Sequence, residues 1–307
     1  MVRLDAYREV IIAYRKWLEA QRPSACKRFL SRLESPSSIH VEGAVGEAAA
    51  WNWLDPRCDS IELNESDAHG GADFRCVGNG ASFLVEVTTI TIPTASDRTG
   101  LSHSSKHTGP KYYGTATAAI KQEIVSKAKQ VSGHTVPVLV FVTTLHWEVS
   151  AIGLQTHHLE ELLIGSSVIT STINRLTGDS VGPIRNEATF DHSLFFATRT
   201  NLPLRRHISG VLVGGFGLRP PECVVRGVLH PDPARPFDPR GLTDACFGSI
   251  RPWPLTKQSR VVWRKSNGDG CDDATEQEER IEKARRNLHA AGLWDEIHRE
   301  LRRRNDR

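Results

Sequence analysis

Long apolar runs are missing from this 307-residue chain. No stretch reaches the roughly 18 consecutive apolar residues of a membrane-spanning helix, and the segment after Met1 is charged and amphipathic where a secretory signal would be basic and then apolar. A cytoplasmic location with no membrane contact is therefore expected. Cysteine is sparse: Cys26, Cys58, Cys76, Cys223, Cys246 and Cys271 form no CxxC or CxxH pair. That spacing argues against a zinc finger and, without a secretory signal, against a disulfide framework, so mostly free thiols are expected. Neither a P-loop nor a GxSxG pattern occurs. Charge of one sign is also lacking. The net charge of +3 leans toward polyanions without the excess of a protein that simply coats nucleic acid.

What is present is a globular composition, 39% hydrophobic and 24% charged, long enough for one elaborated domain with a substantial core. Leu4, Tyr7, Ile11, Tyr14 and Leu18 recur at three- and four-residue steps and predict a helix over 3–20. A second helix is predicted over 41–54, carrying Glu47. Three strands follow at Ile61–Leu63, Ala72–Val77 and Ser82–Ile92, the last two joined through Gly78-Asn79-Gly80. From Pro93 to Tyr113 the chain is polar and reads as a long loop, which in a compact domain is functional or disordered. Residues 115–131 return to helix, and the apolar run Val136–Thr143 predicts a strand buried on both faces. Because that strand follows a helical crossover, it should run parallel to an earlier strand in a mixed sheet.

Beyond residue 150 the pattern predicts helices at Thr156–Leu163 and 168–176 and a strand at Ile208–Val213. His157-His158 reads as a helix-surface pair and Gly214-Gly215-Phe216-Gly217 as a turn. From Asp272 to Arg307 both charge signs are dense around an apolar stripe of Ile281, Leu288, Leu293, Ile297 and Leu301, which suggests a docked tail or a surface for a homodimer or partner protein. The expected organisation is an N-terminal helical extension over 1–38, a main domain over 39–260 with its core at 41–143, and a charged helical tail over 261–307.

Asn-Gly as a two-residue hairpin loop fixes a register in which Phe74 faces Val85 and Asp73 faces Glu86. Phe74, Cys76, Phe83, Val85 and Val87 then share an apolar face. Asp73, Leu84, Glu86 and Thr88 share the other. Opposed carboxylates repel, and a hard divalent cation such as Mg²⁺, often held by one or two carboxylates with water and phosphate completing its shell, would offset this. The alternative is that one carboxyl is solvated or pairs with an arginine such as Arg75.

Gly70-Gly71-Ala72-Asp73-Phe74 and Phe83-Leu84-Val85-Glu86-Val87-Thr88, with Glu47 on an upstream helix, resemble the PD-(D/E)XK nuclease superfamily. The matching elements cover about residues 41–143 in the order helix, three strands, helix, strand. The resemblance implies an α/β, restriction-endonuclease-like αβββαβ core with a mixed central sheet flanked by helices, plus helical extensions. It also implies Mg²⁺-dependent hydrolysis of nucleic acid, with Mn²⁺ as a substitute, DNA as substrate before RNA and endonuclease action before exonuclease action. Asp73 and Glu86 are then metal ligands and catalytic residues, with Glu47 a further ligand on the first core helix. One departure is plain: the superfamily's lysine, two residues after the glutamate, is Thr88 here.

At about 100° per residue, Ile120, Ile124, Lys127 and Val131 fall in one sector of the following helix, with Glu123 and Gln130 flanking it. A lysine on a buried stripe either snorkels to the surface or meets carboxylates. Lys127 is accordingly assigned the role missing at Thr88, ahead of Lys129 and Lys106. Arg98, His103, Lys106, His107, Lys111, Tyr112 and Tyr113 supply cations and aromatics suited to phosphate and base contacts. Lys106, Lys111, Tyr112 and Gln130 are the candidate nucleic-acid contacts. The alternative function is a catalytically inactive nucleic-acid-binding or protein-interaction module of the same fold.

Overall fold

Asn79 and Gly80 both have positive φ, 50° and 73°, as a two-residue type I′ loop requires, and the missing Cβ of Gly80 makes that conformation cheap. The turn fixes the pairing of Phe74 with Val85 and Gly78 with Ala81. The computed structural model describes residues 4–64, 72–101, 113–153, 155–165, 167–170, 185–219, 222–256 and 259–271. Its helices are α1 (Arg8–Gln21), α2 (Pro23–Leu33), α3 (Ser38–Leu54), α4 (Ile92–Thr99), α5 (Tyr113–Ala128), α6 (Trp147–Gly153) and α7 (Thr156–Ile164). Its strands are β1 (Ser60–Leu63), β2 (Phe74–Gly78), β3 (Ala81–Ile90), β4 (Val138–Thr144), β5 (Ser167–Thr170), β6 (Arg185–Ala188), β7 (Gly210–Arg219), β8 (Glu222–Leu229), β9 (Cys246–Arg251) and β10 (Arg260–Lys265).

Eight strands form one mixed sheet in the order β1-β2-β3-β4-β7-β8-β9-β10, and β5 pairs with β6 in a separate ribbon. The pairs β3/β4, β4/β7 and β8/β9 are parallel; the others are antiparallel. β4 is buried along its whole length, as its apolar run predicts. The fold is α/β, with helices on both faces of the sheet. One core holds α1, α2 and α3 against Phe74, Cys76, Phe83, Val85 and Val87. The other holds Ile120, Ile124 and Val131 against Leu84, Ile90, Val138 and Val140. Among the described residues, no helix is long and apolar enough to cross a membrane.

Several expectations change. Within the stretch read as a loop, Ile92–Thr99 is helical: Thr91 caps it by accepting from the Thr94 amide, Pro93 sits in the first turn, and Gly100 ends it in the left-handed conformation. The loop reading rested on polarity, which a short surface helix shares, and proline is well suited to a first helical turn. Of the helix expected at 168–176, residues 168–170 belong instead to strand β5, where Val168 and Ile169 are β-branched, and 171–176 lie outside the described residues. The Gly214–Gly217 segment lies inside β7 and is not a turn; a Cβ on Gly214 would lie 2.6 Å from the Phe216 ring and 2.9 Å from Phe141. His158 is buried, not on the surface. Cys246 and Cys271 are disulfide-bonded because the β9–β10 hairpin returns the chain to its start, while Cys26, Cys58 and Cys76 are free. The N-terminal helices α1 and α2 pack in the same core as α3, and β10 begins at Arg260. The tail from Asp272, expected to be helical, lies outside the described residues.

α3 approaches the sheet closely at Gly46, where a Cβ would lie 2.3 Å from Thr89 Oγ1 and 2.6 Å from Thr143 Oγ1. Those hydroxyls bond each other at 2.9 Å across β3 and β4. Gly46→Ala should therefore destabilise the protein despite alanine's better helix propensity. Overpacking costs about 1–3 kcal/mol and propensity returns about 1 kcal/mol. Urea denaturation checks this, and an unchanged or higher midpoint would contradict the close packing.

Candidate active site

Alternation along β3 sends Phe83, Val85 and Val87 toward α3 and Leu84, Glu86, Thr88 and Ile90 toward α5. Glu86 is only 3% exposed. The Leu84 amide donates to Pro137 O on the β4 side, so alternate amides, including that of Val87, point toward β2. In this register Val87 would face Ala72, but β2 begins at Phe74, two residues too late to continue the ladder to Val87. Asp73 completes it: its Oδ2 accepts the Val87 N–H at 2.6 Å. Continuing the Phe74–Val85 register by one step sets Asp73 opposite Glu86. The two carboxylates thus meet where the hairpin ladder ends.

The next contribution comes from α5. Ile120, Ile124 and Val131 are buried, and on the same stripe Lys127 Nζ donates to Glu86 Oε1 at 2.7 Å. The lysine side chain keeps 26% exposure against 4% for the glutamate, so the ammonium bridges surface and core. One turn earlier, Glu123 Oε2 accepts from Thr88 Oγ1 at 3.3 Å and its Oε1 pairs with Arg98 at 2.5 Å. The position that carries lysine in the resembled motif is therefore a hydroxyl bonded to a carboxylate.

Glu47, on α3, has both oxygens engaged: Oε1 accepts from the Tyr14 hydroxyl at 2.6 Å and Oε2 from Arg32 at 2.5 Å. Its charge nevertheless reaches Asp73. Burial first, then Glu86 and Glu47, push the Asp73 carboxyl well above its ordinary range, against the Val87 amide and Lys127, which favour the charged form. Glu42, buried on the same helix, accepts from the Ile92 amide at 2.5 Å and so receives the start of α4; burial raises its carboxyl.

A carboxyl whose folded pKa is raised binds more protons folded than unfolded. Its contribution to stability therefore falls as pH rises above the ordinary value of 3.8 toward the folded pKa. In EDTA, the melting temperature of the wild type relative to Asp73→Asn should decline with rising pH across that window. Added Mg²⁺ should restore most at the high-pH end. A difference that rises with pH would contradict the carboxylate repulsion.

Lys106, Lys111 and Tyr112 lie outside the described residues, and Gln130 is exposed in the turn after α5. Among the described residues, no group of three or more His, Cys, Asp or Glu side chains is arranged to hold a metal. Asp73 and Glu86 offer all-oxygen donors and mutual repulsion, which fits a hard cation taking most of its shell from water and phosphate. Sequence reasoning missed the roles of Tyr14, Arg32, Glu42 and Glu123. Glu123 carried a signal, being four residues before Lys127; Arg32 carried none. No family model, curated protein or solved structure matches this chain.

Proposed function

We propose that this chain is a metal-dependent nuclease of the PD-(D/E)XK type, most readily a DNA endonuclease. The observation that carries this reading is the 2.7 Å contact between Lys127 and Glu86, beside Asp73. It supplies, from α5, the cation that the motif lacks at Thr88. The order α3, β1, β2, β3, α4, α5, β4, with β4 parallel to β3, supports the restriction-endonuclease-like core, α4 being an added helix between β3 and α5.

In this reading Asp73 and Glu86 hold a Mg²⁺ or Mn²⁺ ion. When bound, the ion supplies polarisation of the scissile phosphate and a more acidic water. Asp73 is oriented by the Val87 amide and Glu86 by Lys127. The Lys127 ammonium orients the attacking water and stabilises the negative charge that develops on the phosphoryl oxygens. Glu47, held by Tyr14 and Arg32, adds negative potential beside Asp73 and so favours the cation, and each of its oxygens accepts one hydrogen bond and keeps a second lone pair for the ion.

A second reading, a nucleic-acid-binding module of the same fold without chemistry, is favoured by Thr88 and its bond to Glu123. The two separate on incubation of closed-circular plasmid, linear duplex, single-stranded DNA and RNA with the protein in Mg²⁺, Mn²⁺ or EDTA. Metal-dependent opening of the circle supports the endonuclease. Binding without cleavage of any of the four supports the module.

A further inference from the structure

A groove of about 740 Å³ runs between α2 and the start of α3, lined by Lys27, Ser31, Arg32, Ser35 and His40, with Glu34 the one acidic residue. That volume is within the range of about 300–1,000 Å³ typical of ligand clefts. Lys27 and Ser31, four residues apart, share an exposed face of α2, and the Ser35 hydroxyl bonds the His40 ring at 3.0 Å. Ammonium, guanidinium and hydroxyl groups in this mixture are the side chains that contact phosphate oxygens.

Arg32 links the groove to the carboxylates. It also lines a smaller recess with Arg28, Glu47 and Leu63, and its Nη1 bonds Glu47. Its Nη2 lies against α3 at Gly43, where a Cβ would come within 3.1 Å. The side chain still keeps 39% exposure. One guanidinium thus touches Glu47 of the proposed metal site on one side and the groove on the other.

We propose that this groove binds the phosphodiester backbone of one substrate strand and leads it past Arg32 to Asp73 and Glu86, an inference that rests on the nuclease reading. Lys27, Ser31 and His40 contact backbone oxygens away from the reacting phosphate. Arg32 contacts the phosphate next to it and holds Glu47 in place.

The test is fluorescence anisotropy of labelled single-stranded and duplex DNA 20-mers with the full chain in EDTA, where no cleavage occurs. The double variant Lys27→Glu, Ser31→Glu changes two exposed positions, and circular dichroism checks its fold. It should weaken binding by about tenfold or more at moderate salt, and Lys27→Ala alone should reduce the slope of log K against log salt by about one. Wild-type affinity and salt slope in both variants would overturn the groove while leaving cleavage by the wild type untouched. Loss of binding in the double variant of a protein that cleaves nothing would keep the groove and sink the nuclease. A wild type that binds neither 20-mer would overturn the groove.

Discussion

Lys127→Ala should lower the rate of metal-dependent cleavage by about 10²–10³-fold, the loss typical when one positioned donor to developing charge is removed. The lysine stem packs on the buried stripe of α5 and its ammonium meets Glu86 at 2.7 Å. Part of any effect could therefore be structural, since breaking a fully buried pair costs about 3–5 kcal/mol. The 26% exposure of Lys127 reduces that cost. Lys127→Met keeps the stem and removes the charge, so it should lose activity as the alanine variant does while staying closer to wild type in stability. Thr88 faces the same helix two residues along β3 and already bonds Glu123. Adding Thr88→Lys to Lys127→Ala should recover about tenfold of the lost rate, because the ammonium then returns to the strand position it holds in the resembled motif. A Lys127→Met enzyme with wild-type rate would remove the lysine from the mechanism.

Glu86→Gln should abolish Mg²⁺ binding and reduce cleavage by at least about 10²–10³-fold, yet leave the metal-free protein no less stable. Glu86 is a buried carboxylate whose charge helps raise the Asp73 carboxyl, so neutralising it relieves repulsion. Lys127 loses its partner but retains a path to solvent. Opposite effects on function and stability distinguish a site under electrostatic strain from a structural ion pair. Calorimetric titration with Mg²⁺ and thermal denaturation in EDTA measure the two. Wild-type Mg²⁺ affinity in Glu86→Gln would exclude it as a ligand.

The part of the site built from local geometry was legible in the chain itself. Asn79-Gly80 fixes a turn, the turn fixes the register, and the register places Asp73 beside Glu86. Helical periodicity likewise put Lys127 on the face that meets β3. Contacts made by distant segments left no such trace. Arg32 and Tyr14 reach Glu47 only because α1 and α2 pack on α3, and neither residue has a spacing that announces it. The polarity of the segment from Pro93 concealed α4, whose start rests on the Thr91 cap. The Cys246–Cys271 bond depended on a hairpin that returns one cysteine to the other across 25 residues.

The most direct measurement is single-turnover cleavage of closed-circular plasmid DNA by the wild type and Asp73→Asn, each with Mg²⁺ and with EDTA. The variant keeps an oxygen for the Val87 amide and removes the charge that would hold the ion. Cleavage by the wild type in Mg²⁺ alone, absent in EDTA and absent from the variant, is the predicted result. Equal cleavage by Asp73→Asn would contradict the assignment of Asp73 and Glu86 as the metal-dependent centre.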